Sequence, residues 1–108
     1  MEELAKYQKF VRDRITELRL QKGVYEHRMS LDLGKSGSYI RSITNGIALP
    51  SLRELFNTMI YFEISPSEFF INLEDSNSLR AKINSNLRQF SDEDLNRVFI
   101  FMSWLKDK

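Results

Sequence analysis

The stretch Glu26-His27-Arg28-Met29-Ser30-Leu31-Asp32-Leu33-Gly34-Lys35-Ser36-Gly37-Ser38-Tyr39-Ile40-Arg41-Ser42-Ile43-Thr44 decides the fold. Met29 and Leu33 stand four residues apart and Ile40 and Ile43 three apart, the spacings that place side chains on one face of a helix. Gly34 stops the first run in the manner of a left-handed cap, and Asn45-Gly46 stops the second. The pattern predicts two short helices, Glu26–Leu33 and Gly37–Thr44, joined by the tight turn Leu33-Gly34-Lys35-Ser36. Four inward apolar residues can fix their crossing angle and hold the second helix proud of the surface.

Working outward, Leu4, Tyr7, Val11, Ile15 and Leu18 form one face of a preceding helix that Gly23 ends. Downstream, Ser51 with Glu54 three residues later makes a capping box, opening a helix whose inward residues are Leu52, Leu55, Phe56, Met59 and Ile60. Ser65-Pro66-Ser67-Glu68 repeats that signal and starts a short fifth helix ending near Ile71. Residues 72–78 are polar and turn-rich, a natural boundary. Leu79, Ile83, Leu87 and Phe90 mark a sixth helix. Ser91 followed by Asp92, Glu93 and Asp94 caps a seventh, with Lys106 and Lys108 suited to its C-terminal end. No window alternates with period two. The expected class is all-α: a five-helix domain over 1–71, with the central helix pair at about 26–44, and a two-helix extension over 72–108.

Composition narrows the function. The chain's 108 residues suit one ordinary domain, and 42% hydrophobic with 29% charged residues excludes a disordered or fibrous chain. No run reaches the roughly 18 apolar residues of a membrane span, and the start shows no secretory signal, so no membrane partner and a cytoplasmic setting are expected. Zero cysteines leave no disulfide, thiolate metal site or cysteine nucleophile. His27, the only histidine, reads as an ordinary surface residue. Asp92, Glu93 and Asp94 are explained by the helix dipole rather than by acid–base chemistry. With no glycine-rich phosphate loop and no metal-ligand spacing, the chain reads as no enzyme, with no cofactor, metal or small-molecule ligand expected.

The formal net charge of +1 hides an asymmetry. Residues 1–53 hold ten Lys/Arg against six Asp/Glu, a balance of +4; residues 54–108 hold six against nine, a balance of −3. One part of the molecule is therefore suited to a polyanion although the whole is near neutral.

Over residues 15–70 the chain resembles, without a gap, the phage-repressor-like helix-turn-helix family of Cro/repressor or XRE type. The resemblance rests on Ile15 to Arg19, Lys22-Gly23, Met29 to Gly34, Ser38 to Ile43, Asn45-Gly46, Leu49-Pro50-Ser51-Leu52 and Ser65 to Phe70. Their joint spacing, rather than any one motif, is specific, and the wording is similar to small bacterial regulators. The resemblance implies a homodimer that binds double-stranded DNA and controls transcription, with the helix at 37–44 in the major groove. Its base-reading positions fall on Gly37, Ser38, Arg41 and Ser42. Arg41 alone can grip guanine through two hydrogen bonds, while Gly37 offers no side chain. Lys22, Arg28, Lys35, Tyr39 and Arg53 are the expected phosphate contacts. Three positions depart from the family. Glu26 replaces a common phosphate-binding Gln and repels phosphate unless it points elsewhere. Ile47-Ala48-Leu49 replaces a loop that often carries Lys or Arg. Thr44 replaces a Glu that often pairs with the residue at Arg19, which must find another acceptor.

The last helix is apolar on two sides. Leu95, Val98, Phe99, Met102 and Leu105 form one stripe, with Ile100 and Trp104 opposite and Phe101 at the margin. Ile100, Phe101 and Trp104 are the expected contact of a twofold homodimer. A competing function is a protein-interaction or antitoxin-like module on the same scaffold, suggested by Glu26, the apolar 47–49 loop and the acidic 54–75 stretch.

Overall fold

The computed structural model describes residues 1–73 and 77–107. Glu74, Asp75 and Ser76, from the acidic stretch and the turn-rich boundary, lie outside the described residues, as does Lys108. The described residues form seven helices and no strand, so the fold is all-α. None of the helices is long and apolar enough to cross a membrane. The chain divides into two compact units, Met1–Leu73 and Glu74–Lys108.

The first unit holds α1 (Glu2–Lys22), α2 (Glu26–Asp32), α3 (Tyr39–Thr44), α4 (Leu52–Tyr61) and α5 (Pro66–Phe69). Each contributes to one core: Ile15 and Leu18, Met29, Ile40 and Ile43, Met59, and Phe69. α1 carries Glu2 and Glu3 in its first turn and Arg19 and Lys22 in its last, both favourable to the helix dipole. Gly23, at φ 74°, closes it by donating to the Arg19 and Leu20 carbonyls. The expected inner face of α1 is buried only toward its C-terminal half. Ile15 and Leu18 are inside, whereas Leu4 and Tyr7 are about half exposed. At 21 residues, α1 extends about 32 Å and overhangs the short helices packed against it.

α4 differs from expectation in the same way. Met59 and the unexpected Thr58 are buried and Leu55 is half-buried, but Leu52 and Ile60 are largely exposed and Phe56 nearly half so. The core-facing arc is Leu55, Thr58 and Met59, and the row Leu52, Phe56, Ile60 lies outside it. The caps follow the sequence: Ser51 Oγ accepts the Glu54 N–H at 3.2 Å, and Glu54 Oε1 accepts the Ser51 N–H at 3.0 Å. In α5, Ser65 Oγ accepts the Glu68 N–H at 3.2 Å, with Pro66 at the first helical position. Arg14 ties α1 to the end of α5, donating from Nε to the Phe69 carbonyl at 2.9 Å and from Nη2 to that of Glu68 at 3.0 Å.

α2 and α3 are locked by a residue the apolar pattern does not reveal. Ser30 is fully buried; its hydroxyl donates to the Glu26 carbonyl at 2.8 Å and accepts the Ile40 N–H at 3.0 Å. A side chain of α2 thus satisfies an otherwise unpaired first-turn N–H of α3. Gly34, at φ 73°, turns the chain between them, and the Lys35 N–H reaches back to the Ser30 carbonyl at 3.0 Å. Ser30→Ala leaves the Ile40 N–H buried and unsatisfied, at a cost of about 1–3 kcal/mol. For a unit of this size the thermal midpoint should fall by roughly 4–8 °C per kcal/mol. Circular dichroism melts check this against Ser36→Ala at an exposed position; equal midpoints would show that the buried bond contributes nothing.

The second unit holds α6 (Leu79–Leu87) and α7 (Asp92–Lys106). Ser78 caps α6 by accepting the Ala81 N–H at 3.0 Å, and Ser91 caps α7 by accepting that of Asp94 at 3.2 Å. No described residue of this unit is buried. On α7, Val98 is half-buried, but the rest of its stripe is exposed, as are Ile100, Phe101 and Trp104. Both apolar faces are largely exposed among the described residues, since two helices supply too little chain to enclose one.

Candidate nucleic-acid interface

α3 begins at Tyr39, two residues later than its spacing suggests, so Gly37 and Ser38 lie in the turn before it. Gly37 lies close to His27: a Cβ there would stand 2.4 Å from His27 Cε1. His27 is exposed, as expected of a surface residue, and its ring lies close against Gly37, so a side chain there would require the ring to swing aside. Ser38 is exposed at the N-cap position. Arg41 projects from α3 with 73% of its side chain exposed, on the side opposite the buried Ile40 and Ile43. The Ser42 hydroxyl turns back to the Tyr39 carbonyl at 2.6 Å, and the Ser42 carbonyl accepts the Ile47 and Ala48 N–H groups. Of the four expected base readers, Arg41 and Ser38 present polar side chains outward, Ser42 is turned inward, and Gly37 has none.

Around them lie the expected phosphate contacts. Lys35 pairs with the Glu54 carboxylate and lies 5.5 Å from the centre of the Tyr39 ring. Lys35, then the Ser51 N–H, holds the Glu54 carboxyl down to about 2. Burial, then the Glu54 charge, pushes the Tyr39 phenol up to about 12. The Tyr39 hydroxyl is enclosed and makes no well-formed hydrogen bond, so this side chain supports Lys35 rather than offering a phosphate its own donor. Arg28 Nε pairs with Asp32 Oδ1 at 3.0 Å, and the other Asp32 oxygen accepts the Tyr61 hydroxyl at 2.8 Å. Lys22 Nζ lies 4.9 Å over the Tyr61 ring. Lys22, Tyr61, Asp32 and Arg28 thus link the ends of α1, α4 and α2. Arg53 is exposed on the first turn of α4 and has no ion pair among the described residues.

The three departures are also placed. Arg19 finds its acceptor in the Val24 carbonyl, 2.9 Å from Nη1. In the loop after α3, Ile47 is 80% exposed and Leu49 moderately so. The Glu26 side chain turns into a cleft beside Arg41, its Oε1 4.0 Å from Arg41 Nε. Several bases of the +4 half are matched within the unit, Lys9 by Asp13, Arg14 by Glu17, Arg28 by Asp32 and Lys35 by Glu54. The positive field there is correspondingly weaker than a count of bases implies. Sequence reasoning missed Ser30 and the roles of His27 and Glu54. Of these, only the placement of His27 had a signal, in its neighbour Gly37, since a glycine at a helix start can mark a close approach.

Comparison with known proteins gives no matching family model, no matching curated protein and no matching solved structure.

Proposed function

We propose that the chain is a sequence-specific DNA-binding transcriptional regulator, a repressor-type homodimer acting in the bacterial cytoplasm. In this reading residues 1–71 are a five-helix domain whose α2 and α3 form a helix-turn-helix, and residues 72–108 are a dimerisation extension. The observation that carries it is the outward placement of Arg41 on a helix held through Ser30, Met29, Ile40 and Ile43. A helix fixed this way fits a major groove about 12 Å wide, with Arg41 and Ser38 toward base edges. Lys22, Arg28, Lys35 and Arg53 contact phosphate, the paired ones by exchanging a carboxylate for it.

The second copy is the occupant of the exposed α7 face at Ile100, Phe101 and Trp104. Two α7 helices packed antiparallel across this face have opposed, mutually favourable dipoles. Two reading heads then suit half-sites about one helical turn apart.

Selection from random DNA at low salt should enrich a sequence with twofold symmetry. Eight phosphate contacts per dimer should weaken affinity about 10³-fold or more between ~50 and ~200 mM salt. No enrichment at low salt would end this reading.

A second reading, a protein-interaction module on the same scaffold, is favoured by the exposure of Ile47 in the loop after α3. A co-purifying protein that protects residues 47–49 from amide exchange, in a chain that shifts no DNA, would establish it instead.

A further inference from the structure

Glu26 is an acid where an approaching phosphate backbone would pass, and in isolation it opposes the proposed function. Its geometry suggests a different role. The side chain is only 25% exposed and lines a cleft of about 790 Å³ with Tyr25, His27, Ser38 and Arg41. Oε2 is enclosed and accepts no hydrogen bond among the described residues, while Oε1 faces Arg41 Nε at 4.0 Å. At 4.0 Å the two groups are in ion-pair range without a hydrogen bond; Arg19 lines the same cleft, but its Nη1 is engaged by the Val24 carbonyl, which leaves Arg41 as the guanidinium free to turn.

A guanidinium has one Nε–H edge and a separate pair of Nη groups. A base that grips Nε fixes the plane of the group and leaves both Nη atoms to meet a second acceptor. The O6 and N7 of guanine supply such a paired acceptor, whereas the edges of other bases do not. We infer that Glu26 is a positioning residue for sequence selectivity: it holds Arg41 by Nε, turns the Nη pair toward guanine, and discourages binding where no guanine answers. This inference rests on the DNA-binding reading above. It assigns to Glu26 lower affinity for DNA at large in return for discrimination at the preferred site.

The test uses the full chain, the selected DNA site, the same site with its guanines replaced, and random-sequence DNA. Glu26→Gln keeps the shape of the side chain and removes its charge. It should raise affinity for random DNA about fivefold and affinity for the selected site by less than about twofold, so discrimination falls. Glu26→Asp keeps the charge but draws the carboxylate back from Nε, so it should lose discrimination without the gain on random DNA. In an Arg41→Ala background, Glu26→Gln should raise affinity for all three DNAs equally. Discrimination unchanged by Glu26→Gln, or lowered equally with Arg41 absent, would overturn the inference. An independent readout needs no DNA: the Arg41 Nε–H resonance of the free protein should shift when Glu26→Gln removes the charge 4.0 Å away. An unchanged resonance would overturn the Glu26–Arg41 contact itself. A shifted resonance in a chain that enriches no DNA sequence would instead refute the DNA reading, and the selectivity role with it.

Discussion

Replacing Ile100, Phe101 and Trp104 together with serine should give a monomer that binds the preferred DNA site about 10²–10⁴-fold more weakly than the unmodified chain. The size of the effect comes from geometry. When two reading heads are joined, the second binds at the effective concentration set by the first, and separating them removes that advantage without touching a DNA contact. The three side chains are 60%, 56% and 58% exposed, and none of the described residues of the unit that bears them is buried. Association should therefore stabilise α6 and α7 as well as pair the heads, so the far-ultraviolet helix signal should fall with the dimer on dilution. Sedimentation velocity at micromolar concentration, beside DNA titration at fixed salt, measures both consequences. Ile47→Ser is the control, because Ile47 is more exposed still but lies in the first unit, and it should leave the mass unchanged. An unmodified chain that sediments as a monomer, or a triple variant that remains a dimer, would remove the proposed interface.

Much of the fold is legible in the sequence because the interactions that mark it are local. Ser51 with Glu54, Ser65 with Glu68, Ser91 with Asp94, and Gly23 after Lys22 each act within a few residues, and all four occur as their spacing implies. Met29, Ile40 and Ile43 are likewise buried where their periodicity places them. Periodicity gives a direction around a helix, however, and not the depth of cover on that side. Leu4 and Tyr7 share a face with Ile15 but overhang the core, and Leu52, Phe56 and Ile60 lie one row beyond the part of α4 that is covered. What remains hidden involves partners about ten or more residues apart: Ser30 with Ile40, His27 with Gly37, Lys35 with Glu54, and Glu26 with Arg41. Those pairings alter the candidate interface more than the fold. They explain how an acid can stand at residue 26, and why the bases of the first half are less available than their number implies.

Removing Arg41 should abolish most sequence preference while leaving the protein folded and able to hold DNA. Its side chain is 73% exposed and belongs to no core contact, so Arg41→Ala should leave the thermal midpoint close to that of the parent chain. The loss should appear in comparison among sequences. A two-bond contact from arginine to guanine contributes about 1–3 kcal/mol of discrimination, so affinity for the preferred site should fall about 5- to 150-fold per half-site, with little change on random DNA. Ser38 and the inward-turned Ser42 cannot replace it, since a hydroxyl serves several base edges alike and that of Ser42 is already bonded to the Tyr39 carbonyl. Arg53→Ala provides the contrast. Arg53 has no carboxylate partner among the described residues, so it can meet phosphate without breaking a bond first. Its loss should weaken every sequence by a similar factor and lower the slope of log affinity against log salt by about 0.9 for each contact removed. Lys35→Ala should have a smaller effect than Arg53→Ala, because Lys35 must leave Glu54 to reach DNA. If Arg41→Ala and Arg53→Ala reduce affinity uniformly and alike, α3 does not read bases, and the groove-facing assignment of Arg41 is wrong.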